Sequence, residues 1–354
     1  MISATMRNLL ACLIVSFVAV VVTAAQAPTP AGATGLVVGS GNFFSPIVAD
    51  LEKAAAFYRD GLGFAVTGQP SDATSNAPLR NMFGLPDAQL RWTIARPAFM
   101  RGGVEIVEVK NIASHALTRN VQDPGAVTLV LAVRDIDGLV MRLSKLGGTI
   151  VSTTGGPLDV TLGGAAARAA LVRTPDGHFL QLVQRPNGPA DAANSETPVT
   201  EVRVRLTVDN VDRAMKLYRD DLGLQQQSVG SFTDSRPVLQ MLGLRGGAYR
   251  QAITQVPSSG LFVQFIEFKD VDRRGTSGGI QDPGSTRIQL QVRDLAAAMK
   301  AVVRAGGKVV STGEMPVQLP AGRGGTIKAA VVRDPDNLFL VLIETAPTPA
   351  AQAR

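Results

Sequence analysis

The chain has 354 residues, of which 45% are hydrophobic and 18% charged, with a formal net charge of +6. This length accommodates two domains, each with its own core, and the balance is that of a globular protein. The arginines are scattered, with no basic helix and no series of aromatic platforms, which argues against a nucleic-acid partner.

Residues 9 to 23, LLACLIVSFVAVVVT, form an uncharged apolar run preceded by Arg7 and followed by TAAQAPTP. The run is shorter than the roughly 20 residues that span a bilayer, and small residues follow it, so residues 1–27 are expected to be a cleaved secretory signal peptide. Cleavage after Ala25 or Ala27 leaves no stable membrane anchor and implies export to a periplasmic or extracellular location. Cys12 is the sole cysteine, so the mature chain would have no thiol or disulfide chemistry.

Beyond the signal, the chain repeats itself. ADLEKAAAFYRDGLGF (49–64) returns as DNVDRAMKLYRDDLGL (209–224), QDPGAVTLVLAVRDI (122–136) as QDPGSTRIQLQVRDL (281–295), and AALVRTPDGHFLQLV (169–183) as AAVVRDPDNLFLVLI (329–343). The copies span 36–186 and 199–346, joined by a polar linker over 187–198 and followed by a tail, 347–354, expected to be disordered. Each copy holds a weaker half-repeat. Asp50 can cap a helix with apolar residues Leu51, Ala54, Ala55, Tyr58 and Leu62, ended by Gly61 and Gly63; Asp135 can cap a second helix, ended by Gly147 and Gly148. Strand-like runs flank both helices. The unit is strand, helix and three strands, repeated four times.

These motifs, with PDGHFLQLV and PDNLFLVLI closing the copies, are similar to those of the vicinal oxygen chelate superfamily of glyoxalases, bleomycin-resistance proteins and extradiol dioxygenases. The resemblance implies an α+β fold of tandem glyoxalase-like domains, each of two βαβββ modules forming an open barrel-like cleft. Modules share a cleft within one copy or are exchanged between copies, and the resemblance leaves that open. It also implies metal ligands on the first and last strand of each module. Counting back from the helix caps puts Phe43, Glu108, Thr128 and Gln181 there in the first copy, and Arg203, Glu267, Arg287 and Val341 in the second.

That set is depleted of metal ligands. Only Glu108 and Gln181 remain as weak candidates, so no metal or other cofactor is expected, with a weakly held divalent ion left open in the first domain. The chain's two histidines give no substitute: His115 reads as a loop residue, and His178 falls on the opposite strand face from Gln181. Arg203 and Arg287 are expected to flank Glu267, as cations in place of the ion or as a closed ion-pair network. Arg91 and Arg250 recur at equivalent positions, as ligand-facing or exposed residues.

Three functions follow. One is a protein binding a small polar or anionic molecule in a metal-depleted cleft. Another is a divergent lyase, isomerase or dioxygenase with Glu108 or Glu267 as general base. The last is a vestigial structural module. A monomer can complete two clefts, and a homodimer is also compatible.

Overall fold

The computed structural model describes residues 35–72, 76–186, 197–275, 278–320 and 325–344. The expected signal segment, most of the linker and the tail lie outside the described residues. Among the described residues, no helix is long and apolar enough to cross a membrane.

Four modules follow one another. The first has strands β1 (Val37–Ser40) and β2 (Ser45–Val48), helix α1 (Leu51–Ala56), which continues as a π-helical turn over Phe57–Gly61, then β3 (Ala65–Val66), β4 (Ser71–Asp72), α2 (Ala77–Met82), β5 (Gln89–Arg96) and β6 (Val104–Lys110). The second has β7 (Val127–Val133), α3 (Ile136–Lys145), β8 (Thr149–Ile150), β9 (Leu158–Leu162), β10 (Ala165–Arg173) and β11 (Phe179–Gln184). The third has β12 (Val199–Thr207), α4 (Val211–Met215) with a π-helical continuation over Lys216–Asp221, β13 (Gln225–Val229), α5 (Arg236–Met241), β14 (Ala248–Gln255) and β15 (Phe262–Lys269). The fourth has β16 (Thr286–Val292), α6 (Leu295–Arg304), β17 (Lys308–Val309), β18 (Val317–Pro320), β19 (Thr326–Arg333) and β20 (Phe339–Glu344).

The expected helix starts form as read. Asp50 accepts a hydrogen bond from Lys53 N at 2.9 Å, and Asp135 accepts one from Gly138 N at 3.0 Å, each satisfying an amide that the helix leaves orphaned. Gly63 and Gly147 lie at φ +71° and +88°, the left-handed conformation that lets the chain leave a helix without a Cβ clash.

Module pairing, which the sequence left open, crosses the two copies. One sheet runs β17-β19-β20-β16-β2-β6-β5-β3, joining the fourth module to the first; the other runs β13-β14-β15-β12-β7-β11-β10-β8, joining the third to the second. Each sheet therefore takes one module from each sequence copy. Within a module the first and last strands pair in parallel, while the central strands of the two modules pair antiparallel.

Strand alternation gives each sheet two faces. One face of both sheets packs with the helices in the largest core, where Leu51, Leu129, Val204, Ile288 and Leu340 are buried. Fully burying a side chain of this size contributes about 1.5–3 kcal/mol. The opposite faces hold two smaller cores: Val130, Phe179 and Val183 with Val238 and Met241 from α5, and Val331, Phe339 and Val341 with Met82 and Phe83 from α2. These opposite faces are the clefts.

Candidate functional site

The parallel pairing inside each module identifies which residues share a cleft. Gln181 lies beside Val130, Gln264 beside Arg205, and Val341 beside Gln289. In the first module Ile47 pairs with Val107, which brings Ser45 level with Glu105 two residues earlier on both strands. One cleft thus has Ser45, Glu105, Gln289 and Val341 at these places, and the other has Val130, Gln181, Arg205 and Gln264.

Glu108 and Glu267 do not lie in either cleft, contrary to the sequence expectation. They sit three residues beyond Glu105 and Gln264, an odd step that turns a strand side chain to the helix face. Glu108 accepts from Leu51 N at 3.4 Å and Glu267 from Val211 N at 2.8 Å, at the starts of α1 and α4. Gln184 and Glu344 do the same for Ile136 N and Leu295 N, each at 3.0 Å. All four modules therefore use this position to satisfy a helix's first free amide, and carboxylates there also match the positive end of the helix. Arg91 and Arg250 belong to the same clasp. Arg91 bridges Glu108 and Glu52, and Arg250 bridges Glu267 and Asp212, so neither arginine lines a cleft.

Arg203 and Arg287 do not flank Glu267 either, because module exchange puts them in different sheets. Arg287, in the first cleft, is 1% exposed, lies 3.4 Å from the Glu105 carboxylate and stacks over Phe83 at 4.6 Å. Gln289 donates to the same carboxylate at 2.9 Å, and its carbonyl oxygen accepts from Asn42 N. This cleft is a closed ion-pair network under α2. Phe43, expected at a ligand position, is buried in the helix-side core. The strand is interrupted between β1 and β2, and that break puts both Phe43 and Phe44 into apolar packing.

The second cleft differs in charge. Arg205 is buried, with Nε and one terminal nitrogen donating to Gln264 Oε1 at 3.1 and 3.0 Å and the other terminal nitrogen donating to Gln181 Oε1. Among the described residues no carboxylate pairs with it. Burial, followed by the tyrosine and arginine charges around it, moves its pKa to about 10, so it remains a cation at neutral pH. Three of the five guanidinium N–H groups are used in these bonds, leaving two free. Arg203 also faces this cleft, bonded to Glu201 at 2.5 Å and stacked over Phe262 at 5.0 Å. Thr128 lies opposite Arg205 across the strand junction, and its buried hydroxyl has no hydrogen-bond partner. A cavity of about 120 Å³ opens here, lined by Arg203, Arg205, Gln181, Gln264 and the exposed Arg185, among others.

Residues 42–182 match the family described as Glyoxalase/Bleomycin resistance protein/Dioxygenase superfamily. The part of the chain over residues 42–182 belongs to the vicinal oxygen chelate superfamily. Its fold is similar to glyoxalase I from Zea mays, at 18% identity over 87% of this chain and 92% of that one, with a TM-score of 0.54. A second structure of that enzyme, a mutant form, gives 18% identity, 87% and 93% coverage and a TM-score of 0.55. These likenesses concern fold alone. No curated protein matches the chain.

The superfamily's divalent ion does not fit either donor set. In the first cleft the single carboxylate, Glu105, is held by Arg287 and Gln289, beside a valine and a serine. In the second a guanidinium occupies a ligand position, and both glutamine carbonyl oxygens point to it. Among the described residues, no three or more His, Cys, Asp or Glu side chains group as a metal site. His178 is buried with its ring Nε2 donating to Ser285 O at 3.1 Å; burial lowers its pKa to about 4. It serves as a neutral strut between loops. Sequence reading missed Arg205 and Gln264 in one cleft and Glu105 and Gln289 in the other, and the alternation of VEIVEVK and VTEVRVR was the signal that held Glu105 and Arg205.

Proposed function

We propose that this protein binds a small anionic molecule in the cleft formed by its second and third modules, with the Arg205 guanidinium in the place where relatives hold a divalent ion. The observation that carries this reading is a buried cation braced by two glutamine oxygens, with no carboxylate partner and two N–H donors to spare. Such a group is costly unless something satisfies it, and a carboxylate or phosphate oxygen pair does so bidentately. Bracing by Gln181 and Gln264 fixes the guanidinium in advance, which lowers the ordering cost of binding. Arg185 adds positive charge at the mouth, while Arg203 is paired with Glu201. The cavity volume limits the ligand, or the part of it inside, to a few heavy atoms.

The first cleft, closed by its own ion pair, acts as a structural counterpart. The same reading has the chain exported through its N-terminal apolar segment, working without a metal cofactor, and able to act as a monomer because one chain builds both clefts. N-terminal sequencing of the secreted form is expected to begin after Ala25 or Ala27.

The test is thermal denaturation with inorganic phosphate or acetate at constant ionic strength, with chloride as control. One of the two anions is expected to raise the melting temperature of the wild type in a saturable way and leave Arg205→Met unchanged. No shift with either anion, or a shift that survives in Arg205→Met, removes the proposal. Metal analysis of the purified protein is expected to show less than stoichiometric divalent ion, and a stoichiometric ion would overturn the metal-free reading.

A further inference from the structure

The two sequence copies differ outside the clefts where the first helix of each copy meets its last hairpin. In the second copy this place is closed by paired polar groups. Tyr218 donates its hydroxyl to Asp334 at 2.7 Å, and Arg213 donates to Asp336 at 2.6 Å, while the same Asp336 oxygen accepts from Asp209 N. Asp334 also accepts from Leu338 N to hold the turn.

The first copy keeps the framework and loses both closures. Tyr58 occupies the position of Tyr218, but Thr174 replaces Asp334. The threonine hydroxyl still accepts from His178 N at 3.1 Å, yet the Tyr58 hydroxyl is buried with no hydrogen-bond partner. Asp176 occupies the position of Asp336 and accepts from Ala49 N at 2.9 Å, as its counterpart does from Asp209 N. Its guanidinium is missing, because Lys53 replaces Arg213 and pairs with Asp50 at 3.1 Å instead. Among the described residues, no cation pairs with Asp176. A buried hydroxyl without a partner costs about 1–3 kcal/mol, so a folded chain keeps one only where something else supplies the bond or strain is tolerated.

Tyr58 and Asp176 are both among the residues lining one cavity of about 380 Å³, walled largely by apolar atoms of Ala54, Phe57, Leu146 and Pro175. That volume is in the range of small-molecule sites, which are mostly apolar with a few placed polar groups. The second copy shows what the first lacks at Asp176: a cation.

We propose that this cavity is a second binding site, separate from the anion cleft, for a small amine whose ammonium group pairs with Asp176 in the place of the Arg213 guanidinium and whose apolar body fills the space against Ala54, Phe57, Leu146 and Pro175. The site lies between α1 of the first module and the β10–β11 turn of the second, and it shares no lining residue with the anion cleft. It does not rest on the proposed anion binding.

The experiment uses 2-phenylethylamine as probe and 2-phenylethanol as its neutral counterpart, with the full protein, by saturation-transfer NMR and thermal shift at pH 7.5. The amine is expected to bind about tenfold more tightly than the alcohol. Asp176→Asn is expected to abolish that preference, and Ala54→Phe, which fills the cavity, is expected to abolish binding of both. Lys53→Met, which removes the nearest competing cation, is expected to leave amine binding as tight or tighter. Arg205→Met is expected to leave it unchanged, which separates this result from the fate of the anion cleft. Absence of amine binding to a folded wild type, equal binding of amine and alcohol, or amine binding that survives both Asp176→Asn and Ala54→Phe overturns the proposal.

Discussion

The two clefts have the same architecture and place an arginine on the same face, yet they treat its charge in opposite ways. In the first, Arg287 meets the Glu105 carboxylate, Gln289 completes the network, and Phe83 covers the guanidinium. In the second, Gln181 and Gln264 hold Arg205, and the cleft keeps an uncompensated positive charge beside an opening. Glu105 and Gln264 stand at the same position of their modules, so the difference between them separates a closed ion pair from a cation available to a ligand.

Removing the acid from the closed cleft tests the comparison most strongly. Glu105→Leu leaves a fully buried guanidinium without its counter-ion and is expected to lower stability by about 3 kcal/mol. Gln264→Leu in the other cleft is expected to cost about 1 kcal/mol, since Gln181 still braces Arg205. Urea denaturation of both variants checks this, and equal losses would erase the distinction between the clefts.

The second test concerns the strut between the clefts. His178 precedes the strand carrying Gln181, and its ring donates to Ser285 just before the strand carrying Arg287. Burial holds its pKa at about 4, so the folded protein refuses a proton that the unfolded chain takes up below about pH 6.5. Stability from this residue is complete above that pH and is lost as pH falls toward 4. At pH 5 the wild type is expected to have lost on the order of 2 kcal/mol relative to His178→Gln, when each is compared with its own stability at pH 7.5. Asp334, raised to about 7 by burial and by Asp336, changes stability in the opposite sense over the same window. It is present in both proteins and drops out of the difference.

Arg205→Met is expected to lose the anion response and to cost about 1–3 kcal/mol of stability, because the buried oxygens of Gln181 and Gln264 lose their donor. A larger destabilisation would mean that Arg205 serves the fold and leaves the two clefts alike. The smallest expected effect is that of Glu267→Gln. The amide oxygen keeps the bonds from Val211 N and Arg250, and Arg250 keeps its pair with Asp212, so stability is expected to fall by less than about 1 kcal/mol and phosphate affinity to remain unchanged. Isothermal titration of that variant checks the claim that this carboxylate lies outside the cleft.

Much of the fold was legible because it rests on local rules repeated in register. Asp50 and Asp135 marked helix starts, Gly63 and Gly147 marked helix ends, and the recurrence of whole segments at an offset of 159–160 residues fixed the modules in order. The site was legible in part. The first-strand positions Thr128, Arg203 and Arg287 were placed two residues before Val130, Arg205 and Gln289, and an even error on a strand keeps the correct face. The last-strand positions Glu108 and Glu267 were three residues late, and an odd error crosses the sheet. A carboxylate that recurs at the end of a strand looks the same in sequence whether it binds a ligand or caps a helix.

The sequence by itself determined the four modules, their helix caps and the poverty of metal ligands, since propensity, capping and residue chemistry act within a few residues of one another. Only the tertiary structure decided which modules share a cleft, because antiparallel pairing of β7 with β12 and of β2 with β16 joins segments far apart in the chain. That choice sent Arg203 and Arg287 to different clefts. It also brought Gln181 and Gln264 from separate copies onto one guanidinium, and because the nearby Glu201 pairs with Arg203 instead, Arg205 is left as a candidate anion site.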